Sequence, residues 1–292
     1  MSASFLSRRG FVLGALALFP VASGLALAEE ADALTNALAE LEAAQGARLG
    51  VALFEEGRTE LRGSRMDERF ALCSTFKLLL AGWVLARCER GEEHLEATVK
   101  VRGRQVVMHS PVTQVGGRFT VEELCRAAVT TSDNTATNLL LERSGGPAGL
   151  TAFLRGLGDE VTRLDRIEPE LNDVRLLEGD LRDTTTPAAM ARTSARLLLG
   201  DALPPERREV LVGWARATVT GLDRLRKDWP ESWSPGDKTG TGMDRYTNDV
   251  AVAWPPEQPP RLVAAYLDRP GHSSAENNGV LAEVGALVMS LG

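Results

Sequence analysis

The chain has 292 residues, 43% of them hydrophobic and 25% charged, an ordinary balance for a globular protein with a sizeable core. Its net charge of −7 and pI near 5.2 argue against nucleic acid or an anionic membrane as a partner. Lysine occurs only at Lys77, Lys100, Lys227 and Lys238 among 33 basic residues. Arginine is always charged, so a lysine used against this habit suggests a need for a compact or titratable amine.

In chain order, Ser7-Arg8-Arg9-Gly10-Phe11-Val12-Leu13 is a twin-arginine export pattern. The apolar run behind it, Phe11 to Phe19, is short for a membrane span. Ala26-Leu27-Ala28 supplies the small residues that a signal peptidase reads. Residues 1–28 are therefore expected to be a leader, leaving 29–292 as one exported domain, periplasmic or secreted. Losing Arg8 and Arg9 and no acid takes the charge from −7 to −9. Ala31 to Ala44 reads as a helix with Leu34, Leu38 and Leu41 on one stripe and Gly46 ending it. Arg48 to Phe54 reads as a strand turning at Glu55-Glu56-Gly57 toward a second. Thr75 to Cys88 is apolar on nearly every face, the pattern of a buried central helix. Thr120-Val121-Glu122-Glu123 is a capping box opening another helix. Thr135 to Arg143 follows, with Gly145-Gly146 as its stop. Gly158 to Thr186 fits neither helix nor strand, and a loop of that length is expected to be functional. Thr186-Pro187 opens the next helix with cap and N1 proline in order, and Pro205 to Val219 forms the last of this group. Asp249 to Trp254 and Arg261 to Leu267 read as strands separated by the loop Pro255 to Pro260, and a final helix runs from about Ala275 to Met289. The ends of the chain thus supply strands and its middle supplies helices.

Four short motifs carry chemistry. Ser74 and Lys77, at i and i+3, share a helix face. A serine hydroxyl is a weak nucleophile needing a base; a Lys77 made neutral by burial against Phe76 and Trp83 would serve. The Ser74 N–H, at the positive helix end, would face a developing oxyanion. The alternative is a capping serine and a surface lysine. In Ser132-Asp133-Asn134, Ser132 suits proton relay to a leaving group and Asn134 a substrate amide; the triplet reads equally well as a helix cap. Lys238-Thr239-Gly240-Thr241-Gly242 reads as an edge strand able to meet an anionic group, or as a plain turn. Glu168 and Asn172, within Glu168-Pro169-Glu170-Leu171-Asn172, have the spacing to hold one water and activate it toward an ester, or belong to a solvated acidic loop. Arg166 and Asp183 would pin the loop's ends, at the small value of a surface pair. Cys73, Cys88 and Cys125 are an odd number without short repeated spacing, read as free thiols. His94, His109 and His272 are scattered, so a zinc site has almost no candidates.

With Ser74…Lys77, Ser132…Asn134, Glu168…Asn172 and Lys238…Gly240 in this order, the chain resembles the class A β-lactamases from about Ala31 to its C-terminus. Phe70 to Lys77, Thr131 to Ala136 and Asp183 to Pro187 also resemble that family. The resemblance implies an α/β plus all-α fold. An antiparallel sheet flanked by helices (about 31–66 and 220–292) would face an all-helical lobe (about 67–219), with the site in the cleft between. It implies that Ser74 opens the lactam of penicillins and cephalosporins as an acyl-enzyme, with the N–H groups of Ser74 and Thr241 as oxyanion hole and with either Lys77 or Glu168 as the base in acylation. Ser132 would protonate the leaving nitrogen, and Glu168 and Asn172 would hold the deacylating water. Lys238, Thr239 and Thr241 would bind the substrate carboxylate, with Gly240 allowing close approach and Asn134 taking the acylamino group. It also implies a cis Glu168-Pro169 bond and a reaction that needs neither metal nor organic cofactor; a monomer is expected. Several positions depart from the family. Gly242 and Ala81 stand where partners for Cys73 and Cys125 are found in some members, so neither disulfide is expected. Thr247 replaces an arginine that helps bind the carboxylate, leaving open which arginine does so here. His109 takes a rim position that is often aromatic. A penicillin-binding D,D-peptidase is the rival reading, against which Glu168 with Asn172 discriminates; a catalytically dead wall-binding module is a more distant one.

Overall fold

The computed structural model describes Met1, residues 21–173 and residues 179–290; the twin-arginine motif lies outside the described residues. The elements are α1 (Val21–Gln45), β1 (Arg48–Glu55), β2 (Arg62–Ser64), β3 (Phe70–Ala71), α2 (Phe76–Glu89), β4 (Thr98–Val101), β5 (Gly117–Thr120), α3 (Val121–Thr130), α4 (Asn134–Arg143), α5 (Gly146–Gly156), β6 (Thr184–Thr185), α6 (Pro187–Leu198), α7 (Pro205–Arg216), β7 (Gly236–Gly242), β8 (Tyr246–Ala253), β9 (Arg261–Asp268) and α8 (Ser274–Ser290).

Five strands form one antiparallel sheet in the order β2-β1-β9-β8-β7. Period-two alternation sorts its side chains to two faces. Val51, Leu53, Ala251, Val263, Ala265 and Leu267 pack with Leu34, Leu38, Val280 and Val284 of α1 and α8. Ala52, Val250, Val252, Leu262, Ala264 and Tyr266 join the larger core that α2 organises with α3, α4, α6 and α7. Gly50 has no room for a side chain: a Cβ there would lie 2.4 Å from Phe70 and 2.9 Å from Pro187 of α6. That close approach locks the helical lobe against the sheet.

Local rules account for most boundaries. Thr120 Oγ1 accepts from Glu123 N at 3.1 Å and Glu123 Oε2 accepts from Thr120 N at 2.7 Å, so the capping box is formed. Thr186 Oγ1 accepts from Ala189 N at 3.1 Å above Pro187. Helix α1 begins ten residues before the expected Ala31 and continues through the expected cleavage site, because the Ala/Leu-rich stretch is itself a strong helix former. The pair Gly145-Gly146 both ends α4 and opens α5, which the sequence reading missed. Gly145 takes the left-handed conformation that a turn between abutting helices needs, with φ 88°, and Pro147 follows in the first turn of α5. Helix α7 stops at Arg216 rather than Val219, because Thr218 leaves the helix direction to donate to Asp237 O at 2.8 Å. The small ladders β3-β6 and β4-β5, two to four residues long, are too short to signal by alternation.

Candidate active site

The nucleophile candidate sits where the lobes meet. Ser74 lies in a 3-10 turn, Cys73–Thr75, that leads straight into α2. The turn is fixed from both sides. Cys73 takes a left-handed φ of 43°, a strained conformation that persists only when its surroundings impose it. Asn248 of β8 donates to Ala71 O at 2.9 Å and Leu72 O at 3.4 Å, tying the turn to the sheet. A Cβ on Gly240 would come within 3.1 Å of Leu72 O and 3.2 Å of Ser74 N, so glycine lets β7 run beside the serine. Strand β7 is the sheet edge, its free side toward the cleft.

Behind Ser74 lies a dense polar cluster. Ser74 Oγ donates to Glu168 Oε1 at 3.3 Å. Lys77 Nζ meets the same carboxylate oxygen at 2.9 Å, with both side chains fully buried. The amine also donates to Ser132 O at 2.9 Å, Ser132 Oγ at 3.3 Å and Asn134 Oδ1 at 2.5 Å. Among the described residues, then, the serine hydroxyl and the lysine amine both meet one oxygen of the carboxylate. Burial pushes Lys77 below the usual lysine range, against the pull of Glu168. Asn172 Nδ2 donates to the other carboxylate oxygen of Glu168 at 2.5 Å, and its own Oδ1 is buried without a partner. The two groups bond directly to each other and leave one acceptor facing inward.

The loop carrying Glu168 is held by two side chains, Asn138 and Asp183. The Glu168-Pro169 peptide is cis. Asn138 of α4 donates to Glu168 O at 2.7 Å and accepts from Glu168 N at 2.9 Å. Asp183, fully buried, accepts from Asp165 N, Arg166 N and Arg166 Nε at 2.7, 3.0 and 2.6 Å. The Arg166–Asp183 pair is thus no weak surface contact: its carboxylate is desolvated and completely engaged.

The Ser132-Asp133-Asn134 triplet is both of its readings at once. Asp133 caps α4, accepting from Ala136 N at 2.8 Å, while Ser132, at φ 59°, and Asn134 turn toward the cleft. Lys238 Nζ donates to Ser132 Oγ at 3.2 Å and Thr239 O at 2.8 Å. Burial, and then the neighbouring Lys77, bring its amine down to about 7. On β7 and β8 the buried carboxyls of Asp237 and Asp249 are pushed up by desolvation, Asp249 to about 6.

The cleft above this cluster has a volume of about 680 Å³. Ser74, Ser132, Asn134, Asn172, Thr239, Thr241 and His109 line it; Lys77, Glu168 and Lys238 lie behind that lining. Sequence reasoning missed Arg224, which also lines the cleft. It is buried, donating to Gly240 O at 2.9 Å, Asn248 O at 2.7 Å and Thr241 Oγ1 at 2.7 Å. Thr247, where an arginine was looked for, is buried on β8 opposite Thr241. An arginine from a loop before β7 was invisible to spacing arguments because the two meet only in three dimensions. All three cysteines are free. Cys73 Sγ lies 2.9 Å from where a Gly242 Cβ would be, and burial pushes its thiol up to about 12, so it offers no thiolate to compete with Ser74.

A sheet-plus-helical-lobe fold with a serine, a lysine and a carboxylate at the foot of the cleft defines a serine hydrolase. The model of the β-lactamase enzyme family matches residues 33–291. β-Lactamase L2 of Stenotrophomonas maltophilia is 44% identical over 260 residues, spanning 87% of this chain and 85% of that protein. Toho-1 of Escherichia coli is 40% identical over 285 residues and 97% of both. The structure of the ancestral Gram-negative class A β-lactamase superposes with a TM-score of 0.86 at 54% identity, covering 89% of this chain and all of that one. The chain belongs to the class A β-lactamases.

Proposed function

We propose that the protein hydrolyses penicillins and cephalosporins through an ester on Ser74, and that Glu168 drives both halves of the reaction. The supporting observation is the shared contact: Ser74 Oγ and Lys77 Nζ meet one oxygen of Glu168 while Asn172 holds the other. In acylation the Ser74 proton passes to Glu168, the group it already bonds, as Oγ attacks the lactam carbonyl. The N–H groups of Ser74 and Thr241 receive the oxyanion. Ser132, in contact with both buried amines, hands a proton to the departing lactam nitrogen and is recharged from Lys77. Glu168 then passes the serine's proton to Lys77, 2.9 Å away, which restores the amine that recharged Ser132. In deacylation the freed carboxylate, with the acceptor Asn172 Oδ1, orients and deprotonates a water that attacks the ester, and the proton it takes goes to the departing Ser74 Oγ.

Lys238, Thr239 and Thr241 bind the substrate carboxylate, and Arg224 adds a permanent cation behind Thr241. Gly240 keeps β7 close to Ser74, and Asn134 and β7 take the acylamino group. The leader pattern supports export by the twin-arginine route, with the protein acting in the periplasm or outside the cell.

Mixing the purified chain with a chromogenic cephalosporin tests the reading. Rapid multiple turnover is expected. A single stoichiometric burst would instead identify a penicillin-binding D,D-peptidase, and no colour change would leave a binding module.

A further inference from the structure

The mouth of the cleft carries a feature that its chemistry does not use. Of the six methionines in the chain, Met190 is buried and Met66 and Met289 are half-buried. Met1 apart, the two exposed ones, Met108 at 72% and Met243 at 45%, both line this one cleft. They come from opposite lobes. Met108 precedes α3, and its carbonyl accepts from Asn134 Nδ2 at 3.0 Å while the next carbonyl, of His109, accepts from Asn134 N at 3.0 Å. Met243 is in the tight β7-β8 turn, where Met243 and Asp244 have φ of 51° and 47° and Arg245 N donates to Gly242 O at 3.2 Å. Both backbones are thus fixed while both residues stay exposed to solvent. Unbranched thioethers adapt to irregular apolar groups and sit favourably against aromatic rings. The Asn134 amide assigned to the acylamino group is also bonded to the Met108 backbone, so the acyl side chain beyond that amide leads toward the rim that carries both methionines.

We propose that Met108 and Met243 form a paired oxidation site, at which a hydroperoxide converts an adaptable apolar rim into a polar one and selectively weakens binding of substrates with large aromatic acyl groups. In each step the sulfur lone pair attacks one peroxide oxygen. An S–O bond forms, the O–O bond breaks, and the departing hydroxide takes the remaining peroxide proton to leave as water. The sulfur is oxidised by two electrons and the peroxide reduced by two. The product sulfoxide is polar and chiral and no longer packs as a thioether. The polar groups at the cleft floor are untouched, so the acylation and deacylation steps keep their machinery.

This inference rests on the proposed hydrolysis, and the experiment separates the two. The untreated chain is first assayed with a penicillin bearing a bulky aromatic acyl group and with one bearing a short aliphatic group; failure to turn over either overturns the hydrolase reading alone. The chain is then exposed to hydrogen peroxide, quenched, and mapped by peptide mass. Met108 and Met243 should gain one oxygen each before Met66, Met190 and Met289 gain any, which decides the site whether or not there is turnover. The KM ratio of aromatic to aliphatic substrate should rise about fivefold, with kcat unchanged, and methionine sulfoxide reductase should restore it. A double variant, Met108→Leu with Met243→Leu, should hold its own untreated ratio through the same exposure. Complete oxidation of both residues with an unmoved ratio, or an equal response by the double variant, would overturn the proposal.

Discussion

Replacing Glu168 by alanine separates the two half-reactions. In the intact site Lys77 Nζ lies 2.9 Å from Glu168 Oε1, and at an effective dielectric near 20 that separation is worth about 6 kcal/mol to the charged amine. Burial already pushes Lys77 the other way. Without the carboxylate, desolvation acts unopposed by its strongest partner, and the amine becomes neutral at working pH. A neutral amine bonded to Ser132 beside Ser74 can then take the serine proton, so acylation slows but continues. Deacylation has no such substitute: Asn172 alone can hold a water but cannot deprotonate it. Loss of a positioned general base costs about 10²–10⁴ in rate, so the ester should accumulate. The assay is intact-protein mass spectrometry after mixing with a penicillin: the variant should gain one drug mass within minutes and keep it for hours, with steady-state kcat down about a thousandfold. Normal turnover would refute the placement of the hydrolytic base. Absence of any adduct in a folded variant would refute the Lys77 substitution.

The remaining expectations test the anion subsite and the loop. Lys238 is brought down to about 7, so its positive charge is present below that pH and lost as pH rises through it. kcat/KM, which reports the free enzyme, should therefore fall about tenfold between pH 6 and pH 9 for a substrate carrying a carboxylate, the permanent charge of Arg224 limiting the loss. A profile flat over that range would remove Lys238 from carboxylate binding. Asp183→Ala strips the acceptor from Asp165 N, Arg166 N and Arg166 Nε. With Arg166 a quarter exposed, the cost should sit near the low end for a broken buried pair, about 3 kcal/mol. Urea unfolding measures it, and a change below about 1 kcal/mol would mean that the loop is held elsewhere.

Much of this was legible in one dimension. Ser74 and Lys77 share a face because helical periodicity puts them there, and Glu168 and Asn172 are neighbours because the chain turns between them. Caps at Thr120 and Thr186 follow from hydroxyl chemistry at helix starts. The large strands β1, β8 and β9 announce themselves by composition because both their faces are buried. Nothing local, however, says that Glu168 reaches Ser74, 94 residues away in sequence, or that Ser132 bridges Lys77 and Lys238. Arg224 and Asn138 were missed for the same reason: each is an unremarkable polar residue until folding places it against β7 or the Glu168 backbone. The sequence alone determined that a nucleophile, two scarce amines and a loop carboxylate were available and where several helices begin, since periodicity and capping are properties of adjacent residues. The tertiary structure alone put the Ser74 hydroxyl 3.3 Å from the Glu168 carboxylate and buried both amines. Desolvation and charge pairing depend on what surrounds a group in space, and that environment is assembled only when the helical lobe closes on the edge of the sheet.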